Sequence, residues 1–154
     1  MTSRANQVTP FLWFNGRISE AVALYSEAFA DFTLENSVPS GPDSLMSATV
    51  VINGQRLMLF DGGPHFSLNP AVSMFISCAD QAEVDYYWDA LTRNGGEPGR
   101  CGWLVDPYGL SWQVIPDSLG QLMSDPTRGG AVRDAMLTMN KIDVAALQAA
   151  FDGA

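Results

Sequence analysis

The stretch Cys101–Val114, "CGWLVDPYGLSWQV", carries two of the chain's four tryptophans, one of its two cysteines and a glutamine inside an apolar run. Its two arms flank Asp106-Pro107-Tyr108-Gly109. These four residues read as a type I turn, with Gly109 in the left-handed position of a bulge. That register pairs Asp106 with Leu110. It sets Trp103 opposite Gln113, Leu104 opposite Trp112 and Val105 opposite Ser111. Strand side chains alternate between faces, so Cys101, Trp103, Val105, Ser111, Gln113 and Ile115 share one face. Gly102, Leu104, Trp112 and Val114 share the other. The second face is apolar throughout and suits the side of a sheet that a helix covers. The first mixes aromatic and polar groups and suits an open side. A slip of one residue would exchange the two faces, so the register decides which residues meet a ligand.

Upstream of this hairpin, Ala71 to Cys78 reads as a strand. Asp80 caps a helix, with Glu83 three residues on as a capping box. Val84, Tyr87, Trp88 and Leu91 form the helix's buried stripe, and Asn94-Gly95-Gly96 stops it. A short strand follows near Glu97 to Arg100. The N-terminal half repeats the same order. Thr9 to Phe14 is a strand. The helix after it carries Ile18, Ala21, Val22, Tyr25, Ala28 and Phe29 on one stripe and is capped by Asn15 or Ser19. Phe32 to Val38 is a strand, and Pro39 to Ser44 a loop rich in Gly, Pro and Ser. Met46 to Ile52 and Gln55 to Phe60 are strands joined by Asn53-Gly54, a strong hairpin signal. Both halves read β-α-β-β-β, and Glu20–Tyr25 aligns with Glu83–Trp88 at a lag of 63 residues.

The expected organisation is one domain over residues 1–154, with a first module at 8–61, a linker at 62–70, a second module at 71–116 and a helical tail at 117–154. In the tail, one helix begins at Asp125-Pro126 or Thr127 and presents Val132, Ala135, Met136 and Met139. Asp143 caps another, with Ile142 stapled to Leu147 across the cap, and this helix ends near Phe151.

Composition narrows the function. The chain holds eight basic against seventeen acidic residues, a net charge of −9. The basic residues are scattered, so phosphate contacts that would hold a nucleic acid are not expected. Anionic membrane surfaces are disfavoured for the same reason. No apolar run approaches the roughly eighteen residues of a membrane span. Met1 to Val8 lacks the apolar core of a secretion signal. Cys78 and Cys101 are read as reduced thiols, and the expected location is cytoplasmic.

Several stretches carry a family resemblance: "FLWFNGRISEAVALYSEAF", "DGGPHFSLNPAVS", "DQAEVDYYWDAL", "CGWLVDPYGLSWQVIP" and "MNKIDVAALQAAF". Together they cover most of the chain. The chain resembles the vicinal oxygen chelate superfamily, which includes glyoxalases, bleomycin-resistance proteins and extradiol dioxygenases. The resemblance is to its PhnB-like branch, whose domain is called 3-demethylubiquinone-9 3-methyltransferase. It implies an α+β fold of tandem βαβββ modules forming cupped mixed sheets, the glyoxalase/bleomycin resistance/dihydroxybiphenyl dioxygenase-like fold, here with a C-terminal helical tail. Helices would pack on the convex side of each sheet, and a ligand would lie on the concave side. It also implies a homodimer.

In metal-dependent members of the superfamily, His or Glu ligands come from the first and last strands of each module. Here the first strand offers Thr9 to Trp13, the fourth Leu57 to Phe60 with Asp61 at its end, the fifth Ser73, and the last strand Gln113 where a relative has Glu. A divalent cation needs several converging donors, so no metal is expected. S-adenosylmethionine is not expected either, because neither Gly62-Gly63 nor Gly95-Gly96 leads from a buried strand into a helix.

The expected ligand-binding residues are Thr9, Phe11, Trp13, Ser73, Phe75, Trp103, Ser111 and Gln113, lining an apolar and aromatic cavity with a few neutral polar groups. Trp88 and Trp112 are assigned to the core. His65, the only histidine, is the one candidate acid or base, though a solvated loop histidine reads as readily. Two function classes stay open. One is a metal-free protein that binds a small organic molecule. The other is an enzyme, of the glyoxalase or dioxygenase type or the methyltransferase of the domain's name.

Overall fold

The computed structural model describes residues 8–154; the residues before Val8, where a secretion signal was sought, lie outside the described part. The chain divides into two compact units, Met1–Leu68 and Asn69–Ala154. The boundary falls within residues 62–70.

The first unit runs β1 (Phe11–Phe14), α1 (Ile18–Ala28), β2 (Phe32–Gly41), β3 (Ser44–Ile52) and β4 (Gln55–Asp61), with sheet order β1-β4-β3-β2. β1 lies parallel to β4, and the other pairs are antiparallel. Alternation sends Leu12, Phe14, Ala48, Val50, Ile52, Leu57 and Leu59 to the buried face, where Ile18, Ala21, Tyr25 and Ala28 of α1 are buried too.

α1 starts differently from the expectation. Neither Asn15 nor Ser19 caps it. Gly16 and Arg17 are both left-handed, at φ 73° and 58°, and Arg17 stands at the N-cap with no side-chain cap bond. The Gly16 N–H, just before the helix, is taken by Asp61 Oδ1 at 2.8 Å, so the end of β4 pins the chain as it enters α1. The Pro39–Ser44 loop is mostly strand. β2 continues to Gly41 and β3 begins at Ser44, leaving Pro42 and Asp43 as the turn. Register shifts on both sides of Pro39 absorb it. β2 is an edge strand, where a missing N–H is tolerated.

The second unit runs β5 (Ser73–Cys78), α2 (Gln81–Thr92), β6 (Glu97–Pro98), β7 (Trp103–Val105), β8 (Ser111–Pro116), α3 (Asp117–Met123), α4 (Gly129–Met136) and α5 (Val144–Asp152). Its sheet order, β5-β8-β7-β6, repeats that of the first unit. The two four-stranded mixed sheets with helices on one side give the expected α+β fold. Ile76, Cys78, Leu104, Trp112 and Val114 face Val84, Trp88 and Leu91 of α2 in the buried layer. Tyr87, expected on that stripe, is only half-buried and packs edge-on to Tyr86, with ring centroids 5.2 Å apart.

The hairpin has the predicted register: Trp103 with Gln113, Leu104 with Trp112 and Val105 with Ser111. The Asp106 N–H donates to Leu110 O at 2.9 Å, and Gly109 has φ 94°. Asp80 caps α2 by accepting from the Glu83 N–H at 3.0 Å. Glu83 reaches back to the Ala79 N–H at 2.8 Å, one residue earlier than a standard capping box.

The tail holds three helices where the sequence suggested two. α3 was missed, and α4 begins at Gly129 rather than near Asp125 or Thr127. Asp125 instead ties the preceding turn, its Oδ1 accepting from the N–H groups of Thr127 and Arg128 at 2.9 and 2.8 Å. Met139 lies beyond α4. Leu119, Val132, Ile142 and Leu147 form a small core of their own, with Ile115, Leu122, Met136, Met139 and Phe151 packed around it. No described helix is long and apolar enough to cross a membrane.

Candidate functional site

Each sheet leaves one face uncovered by its helix, and the expected site residues fall on those faces. On the second sheet, parallel pairing of β5 with β8 sets Ser73 beside Ser111 and Phe75 beside Gln113. Antiparallel pairing of β7 with β8 adds Trp103 and Val105 to the same face. Five of the expected residues, Ser73, Phe75, Trp103, Ser111 and Gln113, therefore meet on one surface. Gln113 Nε2 donates to Ser73 Oγ at 2.9 Å. This polar pair is set among Phe75, Trp103, Val105 and Ile115. Ser111 is buried, and its hydroxyl has no hydrogen-bond partner. A buried polar group in that state is costly unless something else satisfies it.

On the first sheet, Phe11 and Trp13 lie on the open face beside Met58 and Phe60, their partners on β4. Trp13 is fixed from three sides. Its Nε1–H donates to Gly63 O at 2.9 Å. Phe60 and Phe66 approach it edge-on, with centroids at 5.3 and 5.1 Å. A Cβ at Gly62 would fall 2.0 Å from the indole, so only glycine lets the ring lie there. Thr9 precedes β1 and is half-buried. Met58, Phe60 and Phe66 were missed as face residues. Met58 and Phe60 could have been found, since they alternate with the buried Leu57 and Leu59.

His65 is exposed on the loop after β4. Asp106 is no surface carboxylate either. It is 3% exposed. Its Oδ1 accepts from the N–H groups of Tyr108 and Leu110 at 2.9 and 3.1 Å, and its Oδ2 from Trp112 Nε1–H at 2.9 Å. It locks the turn and holds Trp112 in the buried layer. Trp88 is likewise buried, while Trp13 and Trp103 are half-buried. Cys78 and Cys101 are free thiols. Burial, followed by the carboxylates of Glu83 and Asp117, pushes Cys78 up to about 12. A thiol held protonated in this way is a poor nucleophile.

A family model described as 3-demethylubiquinone-9 3-methyltransferase matches residues 6–115. The chain belongs to that family. Among solved structures, it is similar to a putative 3-demethylubiquinone-9 3-methyltransferase, the PhnB protein from Bacillus cereus. Identity there is 26% and the TM-score 0.61, over 72% of this chain and 99% of that one. Protein PA1353 from Pseudomonas aeruginosa matches at 26% identity and TM-score 0.61, over 73% of this chain and 98% of that one. No curated protein matches the sequence. The PhnB-like resemblance is thus shown, and with it the vicinal oxygen chelate type of fold.

Two groups go with such a chain: a divalent metal through the superfamily, and S-adenosylmethionine through the family's description. The residues present do not fit a metal. The second sheet's open face offers an amide and hydroxyls, and no group of three His, Cys, Asp or Glu converges among the described residues. They do not fit S-adenosylmethionine by the usual glycine-rich turn. Gly62 and Gly63 follow β4 into a loop, and Gly95 and Gly96 follow the end of α2.

Proposed function

We propose that this PhnB-like protein binds a small organic molecule without a metal, against the aromatic and neutral-polar open face of its second sheet. The observation that carries this reading is the Gln113–Ser73 hydrogen bond, set in an apolar surround. A carboxylate there would be suited to a cation. An amide paired with a hydroxyl suits a neutral hydrogen-bonding group and leaves little electrostatic pull on a metal. The open face of the first sheet, built on Phe11 and Trp13, is a second apolar surface of the same kind. Thr9 borders it.

The reading extends to a homodimer in the cytoplasm. Supporting a dimer are large apolar side chains left at the surface, Phe11 at 55% and Phe75 at 58% exposure. Two free thiols suit a reducing compartment. No nucleic-acid or membrane partner is proposed, given the net charge of −9.

A screen of neutral, anionic and cationic small molecules by thermal shift tests the binding reading. Neutral ligands are expected to raise Tm, and the rise is expected to vanish in Gln113→Leu. An enzyme is the second reading, and the family's own description favours it. Turnover lost in His65→Ala would favour it over simple binding, and a Tm rise with S-adenosylmethionine would favour its methyltransferase form.

A further inference from the structure

The open face of the second sheet continues past Gln113. Beyond it, Phe75 and Ile115 border a cavity of about 320 Å³ whose far wall is α3, through Leu119, Gly120 and Met123. This volume is at the lower end for small-ligand pockets, about 300 Å³ and upward. α3 lies outside the span of residues 6–115 that the family model matches.

Three observations make this a site. Gly120, mid-helix on the lining, has room for a side chain, since a Cβ there would meet nothing within 4 Å. Phe75 and Met123 leave large apolar surface at the edge of the cavity. Finally, the cavity adjoins a neutral polar pair, Gln113 and Ser73. Phe75 is the strand partner of Gln113, and the row Ser111, Gln113, Ile115 runs along β8 to the cavity.

We propose that this cavity takes the apolar end of a small uncharged molecule whose hydroxyl bonds at Gln113, a neutral amphiphile of the alkylphenol kind. The proposal rests on the reading of this face as a ligand surface. An anion would meet Asp117 on the lining, in a chain of net charge −9. A cation would be drawn to Asp117 at the far wall, away from Gln113 and Ser73, where it would find only amide and hydroxyl dipoles.

Titration calorimetry of the full chain with 4-butylphenol, butylbenzene and 4-butylbenzoate tests it. One 4-butylphenol per chain is expected, with the other two at least tenfold weaker. Gly120→Leu should fill the cavity and weaken 4-butylphenol at least tenfold. Its Tm should stay level or rise, because glycine is a poor helix former. Gln113→Leu should close the gap between 4-butylphenol and butylbenzene. Unchanged affinity in Gly120→Leu with loss in Gln113→Leu would place the ligand on the sheet without α3. That result overturns the inference and leaves the broader reading standing. No saturable heat with 4-butylphenol, or equal binding of 4-butylbenzoate, overturns the inference as well.

Discussion

At Asp106, three N–H donors converge on one buried carboxylate, two from the turn's backbone and one from Trp112. Asp106→Ala would leave all three unmet, and a loss of about 3 kcal/mol is expected in urea unfolding. Asp106→Asn should cost less. It keeps an acceptor for the two backbone groups but turns an NH₂ toward the indole N–H. A loss under about 0.5 kcal/mol for the alanine variant would contradict this role. Cys78 makes a prediction of the opposite kind. Its thiol is raised from 9.0 to about 12, so the fold favours the protonated form. That contribution is fully present below pH 9 and is lost as pH rises through about 12. The urea midpoint of the wild type should therefore fall more steeply than that of Cys78→Ala between these limits; parallel slopes would refute it. What could be read at this scale depended on locality. The pairing of Trp103 with Gln113 follows from a four-residue turn and strict alternation. The left-handed entry into α1 does not, because the Asp61 carboxylate that takes the Gly16 N–H is 45 positions away in sequence.

Among the elements, the tail helices show where the sequence was silent. α3 has only seven residues with Gly120 in their midst, so its propensity is poor. Its apolar Leu119, Leu122 and Met123 at i, i+3 and i+4 were the available signal. The same helix lines the cavity of about 320 Å³, so missing it hid half of the candidate site. The partnership of Ser73 with Gln113 was equally out of reach, since parallel β5–β8 pairing joins strands 40 residues apart. The tail is tied to the module by Gln81, which donates to Ile142 O at 3.0 Å and accepts from the Val144 N–H at 2.8 Å. The Cys101 and Gly102 N–H groups add bonds to Met139 O and Asn140 O at 2.8 and 2.7 Å. Gln81→Ala should cost about 2 kcal/mol, with amide exchange rising first in α5. The Lys141–Asp85 ion pair at 2.7 Å joins the same elements. Its Lys141 ammonium holds the Asp85 carboxyl below its ordinary 3.8, so its contribution is present above that pH and fades below it. Both side chains are well exposed, at 38% and 46%. Lys141→Met should therefore cost under about 1 kcal/mol and show less effect at high salt.

The whole molecule joins a repeated βαβββ order, the family matched over residues 6–115 and open faces lined with neutral groups. We propose that such a chain handles its ligand without a metal. The most direct test is native mass spectrometry of the protein purified without chelator. A dimer mass with no stoichiometric divalent metal is expected, with an organic adduct that Gln113→Leu diminishes. One tightly held Zn²⁺, Ni²⁺ or Fe²⁺ per chain would contradict it.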